Sequence, residues 1–222
     1  VVAAFTGWND AGDSASATVR HLVEQLGATP LAEIDPEEFT DFATVRPHVR
    51  LTNERKRRIV WPTVGLWSVS TPGADLVLVL GPEPAMRWRL FTEQIIGVAQ
   101  SFESRAVVTL GALLADVAHS RPVQIIGTAT DQDLIERYDL QPSRYEGPTG
   151  IVGVLQDAAD AAGMAPISLW AAVPAYASQI PSPKAALALV ERLGSIIGTQ
   201  LPTTSLDSDV RDYEGRVTAL VD

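Results

Sequence analysis

The 222-residue sequence contains no cysteine. Disulfides, thiolate zinc sites and a cysteine nucleophile are thereby excluded. Histidine is almost as scarce: His21, His48 and His119 are the only three, too scattered for a histidine zinc site. Of 17 basic residues only Lys56 and Lys184 are lysines, a compositional bias with no bearing on mechanism. No apolar run approaches the roughly 20 residues that span a bilayer. The first residues also lack the basic flank and cleavage site of a secretory signal. These absences predict a cytoplasmic protein with no membrane partner. Positive charge is in deficit too, and the net charge of -10 argues against general binding to nucleic acid. Three signatures are missing: a Gly-x-x-x-x-Gly-Lys phosphate loop, a Gly-x-Ser-x-Gly nucleophile elbow and a His-Glu-x-x-His helix. Their absence disfavours a P-loop nucleotidase, an α/β-hydrolase and a zinc protease. No cofactor is expected. The opening on Val1 rather than methionine suggests a trimmed fragment.

What is present is an α/β rhythm. Val1 to Phe5 is an apolar run, and Thr6-Gly7-Trp8-Asn9-Asp10-Ala11-Gly12-Asp13 is a polar, glycine-punctuated turn. A helix capped by Asp13 or Ser14 follows to about Leu26, with Val19, Leu22, Val23 and Leu26 on one face. Leu31 to Ile34 is a short strand. Alternation over Val45 to Leu51, part of Arg57 to Trp61, and Val64 to Val69 predicts antiparallel strands of a meander or edge extension. Continuous apolar runs at Leu76 to Leu80, Ala106 to Leu110 and Ile167 to Val173 predict strands buried on both faces. Val123 to Thr128 is another strand. Helices are expected from about Arg87 to Phe102, after Gly150 to Ala162, and from about Ser182 to Ile197, with a short one beginning at Asp131.

The expected fold is three-layer α/β/α: a mostly parallel sheet with an antiparallel edge extension and helices on both sides. Residues 1–198 form the α/β domain. Residues 199–222 read as a Thr-, Ser- and Pro-rich linker and the start of a C-terminal helical segment.

Open parallel sheets gather functional groups at the carboxyl ends of their strands. The turns expected on that rim carry Asn9, Asp10, Asp13, Glu83, Asp116, His119, Arg121 and Glu146. Carboxylates beside a histidine could do acid–base work, take a small phosphate-bearing or nucleoside-like ligand, or hold a hard cation. They could equally cap helices and close turns. Thr149, within Gly147-Pro148-Thr149-Gly150, is placed to cap a helix start that could cradle phosphate. Trp8 and Trp88 could wall a pocket, anchor an interface, or seal the end of the sheet. Charge is concentrated in residues 46–58, where Arg46, Arg50, Arg55, Lys56, Arg57 and Arg58 face one acid, Glu54. Such a stretch is either a contact for an acidic partner or an edge hairpin guarded against aggregation.

Several motifs occur in order: Gly7-Trp8-Asn9-Asp10-Ala11-Gly12; Gly81-Pro82-Glu83-Pro84 with Trp88; Leu110 to Pro122; Tyr145 to Gly150; and Pro181-Ser182-Pro183-Lys184-Ala185. In that order the chain resembles the proteasome assembly chaperone 2 family, its actinobacterial branch in particular. The resemblance implies a fold like that of nucleoside phosphorylases and a non-enzymatic role in assembly. It also implies partners among proteasome α-subunits, or further copies of the chain itself. Some members end in a hydrophobic-Tyr-any motif, and Ala219-Leu220-Val221-Asp222 does not match it.

Overall fold

The computed structural model describes residues 1–221; Asp222, part of the chain end just noted, lies outside them. Among the described residues ten strands form: β1 (Val2–Thr6), β2 (Thr29–Ile34), β3 (His48–Leu51), β4 (Arg57–Val60), β5 (Val64–Ser70), β6 (Asp75–Pro82), β7 (Ala106–Ala115), β8 (Ile125–Ala129), β9 (Gln141–Pro142) and β10 (Ala165–Pro174). The α-helices are α1 (Ser14–Gln25), α2 (Trp88–Ser101), α3 (Gln132–Tyr138), α4 (Ile151–Ala161), α5 (Pro183–Ile197) and α6 (Leu206–Val221).

Eight strands make one sheet in the order β2-β5-β6-β1-β7-β10-β8-β9. Its centre, β6-β1-β7-β10, is parallel. Antiparallel neighbours extend it on both sides, β5 and β2 beyond β6 and β8 beyond β10. The three-layer arrangement follows from β1 itself. Its apolar run has no polar alternation because both faces are covered. Val2 and Ala4 enter a core with Val19 and Leu22 of α1 and Leu189 and Leu193 of α5. Ala3 and Phe5 enter the opposite core with Phe91 and Ile95 of α2 and Ile151 and Leu155 of α4.

Three local expectations change. The stretch Gly111–Ala115 continues β7 instead of leaving it, paired with Trp170–Pro174 of β10. The basic segment does not edge the main sheet, since β3 and β4 pair only with each other as a separate two-stranded sheet. Guarding the sheet edge is therefore not its job. That edge is β2, which carries Pro30 and a register shift between Pro30 and Ala32, both devices that blunt strand addition. Third, the Thr- and Pro-rich segment after α5 is tied to the body: Leu201 is buried and the Pro202 carbonyl lies 2.6 Å from His21 Nε2. His21 thus has a packing role within α1. Beyond it α6 lays Tyr213 and Val217 against Ala177 and Ile180.

Candidate functional site

Because β1, β6, β7 and β10 run parallel, the turns that follow them emerge on one rim. The side chains there separate into two clusters with different jobs.

The first cluster joins the turn after β1 to the turn after β6 and the start of α4. Gly7 adopts φ +121°, a backbone conformation L side chains rarely take, and turns the chain so that Asn9 points inward. Asn9 is 1% exposed; its Nδ2 donates to Glu83 Oε1 at 3.0 Å. The same oxygen accepts the backbone N–H of Ile151 at 2.9 Å. A carboxylate from the turn after β6 thus closes the amino end of α4, where unpaired N–H groups and the helix dipole favour negative charge. Gly150 stands at the N-cap, and a Cβ there would lie 2.4 Å from Asn9 Oδ1 and 2.8 Å from Glu83 Oε1. Only glycine admits this approach. Thr149, expected to cap α4, does not. Its Oγ1 lies over the first turn beside Gly153, and Glu83 supplies the acceptor instead.

Asp10, next in sequence, caps α1 in place of Asp13 or Ser14. Its Oδ1 accepts from the N–H groups of Ala15 at 2.7 Å and Ser16 at 3.1 Å. Asp13 occupies the N-cap position of α1 in a left-handed conformation (φ 51°), with its side chain making no cap bond. Burial pushes the Asp10 carboxyl above its usual range, and the hydrogen bonds from Ser16 and Ala15 pull it back only in part. With the native value raised, the folded chain keeps a proton that the unfolded chain releases near pH ~4. Stability therefore falls as pH rises from there through the native value, and recovers as pH drops. Asp10→Asn keeps an acceptor for both N–H groups and is expected to flatten this part of the pH–stability curve. Asp10→Ala is expected to cost ~2 kcal/mol at neutral pH by orphaning two buried donors. Urea denaturation of the three proteins between about pH 4 and pH 7 checks both outcomes; equal pH slopes for the parent and Asp10→Asn would count against the burial argument.

The second cluster is built on His119. Its backbone N–H donates to the Tyr176 hydroxyl at 2.7 Å, and that hydroxyl lies 2.8 Å from Nδ1. The other ring nitrogen, Nε2, lies 3.0 Å from Thr218 Oγ1 of α6, so each ring nitrogen is within hydrogen-bond distance of a hydroxyl. Lys184 donates to the His119 carbonyl at 2.7 Å and pairs with Glu214 of α6 at 2.5 Å. This is a latch that holds α6 on the rim. His119 does not pair with Asp116.

Several expected site residues join neither cluster. The side chains of Asp13, Asp116, Arg121 and Glu146 are exposed and make no hydrogen bond or ion pair among the described residues. Trp88 is half-buried, its Nε1 donating to the Pro84 carbonyl at 2.6 Å. Trp8 stands 65% exposed, so it does not seal the sheet. Among the described residues, no three His, Asp or Glu side chains group as metal ligands. A concavity of about 820 Å³ lies between the start of α5 and α6, lined by Gly12, Pro181, Leu206, Asp209 and Arg216 among others; Glu83 does not line it.

Tyr176, Glu214 and Thr218 carry the latch yet gave no sequence signal as site residues. The one available clue was the 3–4 spacing of Leu206, Val210, Tyr213 and Val217, which marks one inward-facing stripe on α6, buried at all but the half-buried Val210.

A family model described as the PAC2 family matches residues 4–221. The chain belongs to the PAC2 family. Among solved structures it is similar to a PAC2 family protein from Streptomyces avermitilis, at 45% identity and TM-score 0.92, over 99% of this chain and 94% of that one. It is also similar to a proteasome-assembly chaperone homologue from Mycobacterium tuberculosis, at 41% identity and TM-score 0.89, over 98% and 93%. An archaeal proteasome activator from Pyrococcus furiosus, at 19% identity and TM-score 0.78 over 100% and 92%, shares the fold. A search of curated proteins found no match. Among the described residues, no helix is long and apolar enough to cross a membrane.

Proposed function

We propose that this chain is a non-enzymatic interaction protein of the cytoplasm that binds proteasome α-subunits and assists their assembly. One observation carries the reading: the 41% identity, over nearly the whole chain, to a protein described as a proteasome-assembly chaperone homologue. The rim chemistry supports it. Asp10 and Glu83 each spend a carboxylate oxygen on a helix end, and His119 spends both ring nitrogens on the α6 latch. Beside the exposed charged side chains of Asp13, Asp116, Arg121 and Glu146, the rim presents two aromatic rings to solvent, Trp8 and Tyr145. Exposed aromatic anchors on a rigid frame suit a protein partner.

Native mass spectrometry of the chain mixed with purified actinobacterial α-subunits is expected to show a defined complex. Trp8→Ala, at an exposed position, should leave folding intact and weaken that complex by about 10- to 100-fold, the effect of losing one anchor residue. If no complex forms with the folded parent chain, the α-subunit reading fails.

A further inference from the structure

The latch on α6 turns on one nitrogen. Lys184 Nζ, on the first turn of α5, donates to the His119 carbonyl at 2.7 Å and to Glu214 Oε1 of α6 at 2.5 Å. A single ammonium thus ties α5, the turn after β7 and α6 together, and its side chain is only 16% exposed. The rest of the hold on α6 is slight. Leu206 fixes the amino end in the main core. Beyond it the apolar seat is Tyr213 and Val217 on Ala177 and Ile180. The Tyr213 hydroxyl is buried there with no partner among the described residues, which weakens the seat. Part of α6 faces the concavity at the start of α5 instead of packing on that helix. Composition adds to this. The helix contains three aspartates, a serine, a threonine and Gly215, all weak helix formers, so it holds mainly while docked. Gly215 is not required for space, since a Cβ there would meet nothing within 4 Å.

We propose that α6 is a gate whose catch is the Lys184 amine, and that this amine is an acylation site reached when the gate opens. Closed, Nζ is covered and held as an ammonium, which has no lone pair with which to attack. Open, it stands in water without Glu214. It then releases one proton to solvent, and the free amine attacks the carbonyl carbon of an acyl thioester. A C–N bond forms, the donor's C–S bond breaks, and the thiolate leaves with the second proton. The resulting amide keeps one N–H and no charge. It cannot serve both acceptors, Glu214 loses its ion pair, and the added acyl group needs room where α6 lay. The modification therefore holds the gate open and uncovers Ala177 and Ile180, the seat of Tyr213. The proposal is independent of the α-subunit reading, since it requires only this chain and the acyl donor.

Acetylation of the folded chain by excess acetyl-coenzyme A at mildly alkaline pH, followed site by site by mass spectrometry, tests it. Lys56, the other lysine, has a side chain 77% exposed and serves as the internal reference. In the parent, Lys184 should react at least ~10-fold more slowly than Lys56. Tyr213→Ala should speed Lys184 by ~10-fold or more, and Gly215→Ala should slow it, both with Lys56 unchanged. In the protein acetylated at Lys184, and in Lys184→Gln, amide exchange over residues 206–221 should rise at least ~10-fold while β1, β6 and β7 keep their parent rates. Lys184→Arg keeps the charge and should stay closed. Equal reactivity of Lys184 and Lys56 in the parent overturns the proposal, because nothing then gates the amine. So does a Lys184 that stays unreactive in folded Tyr213→Ala, or an acetylated protein whose α6 exchanges like the parent's. Acceleration of α6 and the sheet together overturns it as well, since what opens would be the whole chain.

Discussion

Glu83→Ala is expected to lower the free energy of unfolding by about 3 kcal/mol, a drop of roughly 6–12 °C in melting temperature for a chain of this size. The magnitude follows from what the carboxylate holds. Its Oε1 accepts from Asn9 Nδ2 and from the Ile151 N–H at 3.0 and 2.9 Å. Hydrogen bonds to a charged group are each worth about 1.5–3 kcal/mol, and their loss strands a buried amide. Asn9 Oδ1 already lacks a partner among the described residues, so removing Glu83 would leave both ends of that side chain unpaired. Glu83→Gln retains an acceptor and forfeits only the charge at the helix end, for which about 1 kcal/mol is expected. Gly150→Ala attacks the same contact from the other side and should cost a similar ~1–3 kcal/mol by overpacking. Thermal and urea denaturation read all three. A Glu83→Ala protein within about 0.5 kcal/mol of the parent would mean the knot does not bear on stability.

Tyr213→Ala is expected to free α6 while leaving the sheet folded. Tyr213 is 1% exposed and, with Val217, Ala177 and Ile180, forms a core separate from the two that sandwich the sheet. Truncating a large buried aromatic costs about 3–5 kcal/mol, which here falls on the docking of one helix. Amide exchange over residues 206–221 should accelerate by ~100-fold or more, with β1, β6 and β7 unchanged. Among the described residues the buried Tyr213 hydroxyl has no partner, so Tyr213→Phe should be neutral or slightly stabilising. If exchange accelerates equally in β1 and α6, the helix is part of one cooperative unit and the latch is not a separable element.

The strands that form the sheet's centre were legible because burial on both faces leaves an unbroken apolar run, as in Val2–Phe5 and Leu76–Leu80. The direction of β8 was not, since antiparallel pairing with β10 depends on a neighbour some 40 residues on and leaves no local trace. The hairpin's alternation was readable from 48 to 60, but its separation from the main sheet was not: nothing local says which strand a strand will meet. The rim shows the same limit. Asn9, Asp10, Glu83 and His119 were picked out as polar residues at strand ends. Their partners lie far away in sequence: Ile151 is 68 residues from Glu83, and Thr218 is 99 from His119. Capping was visible as a type of role at Asp10, yet its assignment to Asp10 instead of Asp13 depended on Gly12 adopting a left-handed turn. Conversely, Asp116, Arg121 and Glu146 resemble site residues in sequence and stand free on the surface.

The claim beneath all of this is that the rim is a frame and the chain acts on a protein. The half-time of α-ring formation from purified actinobacterial α-subunits, followed by native gel with and without the chain, tests it most directly. The account predicts faster ring formation in the presence of the chain and a smaller gain with Trp8→Ala. An unchanged half-time at every ratio of folded chain to α-subunit would contradict it.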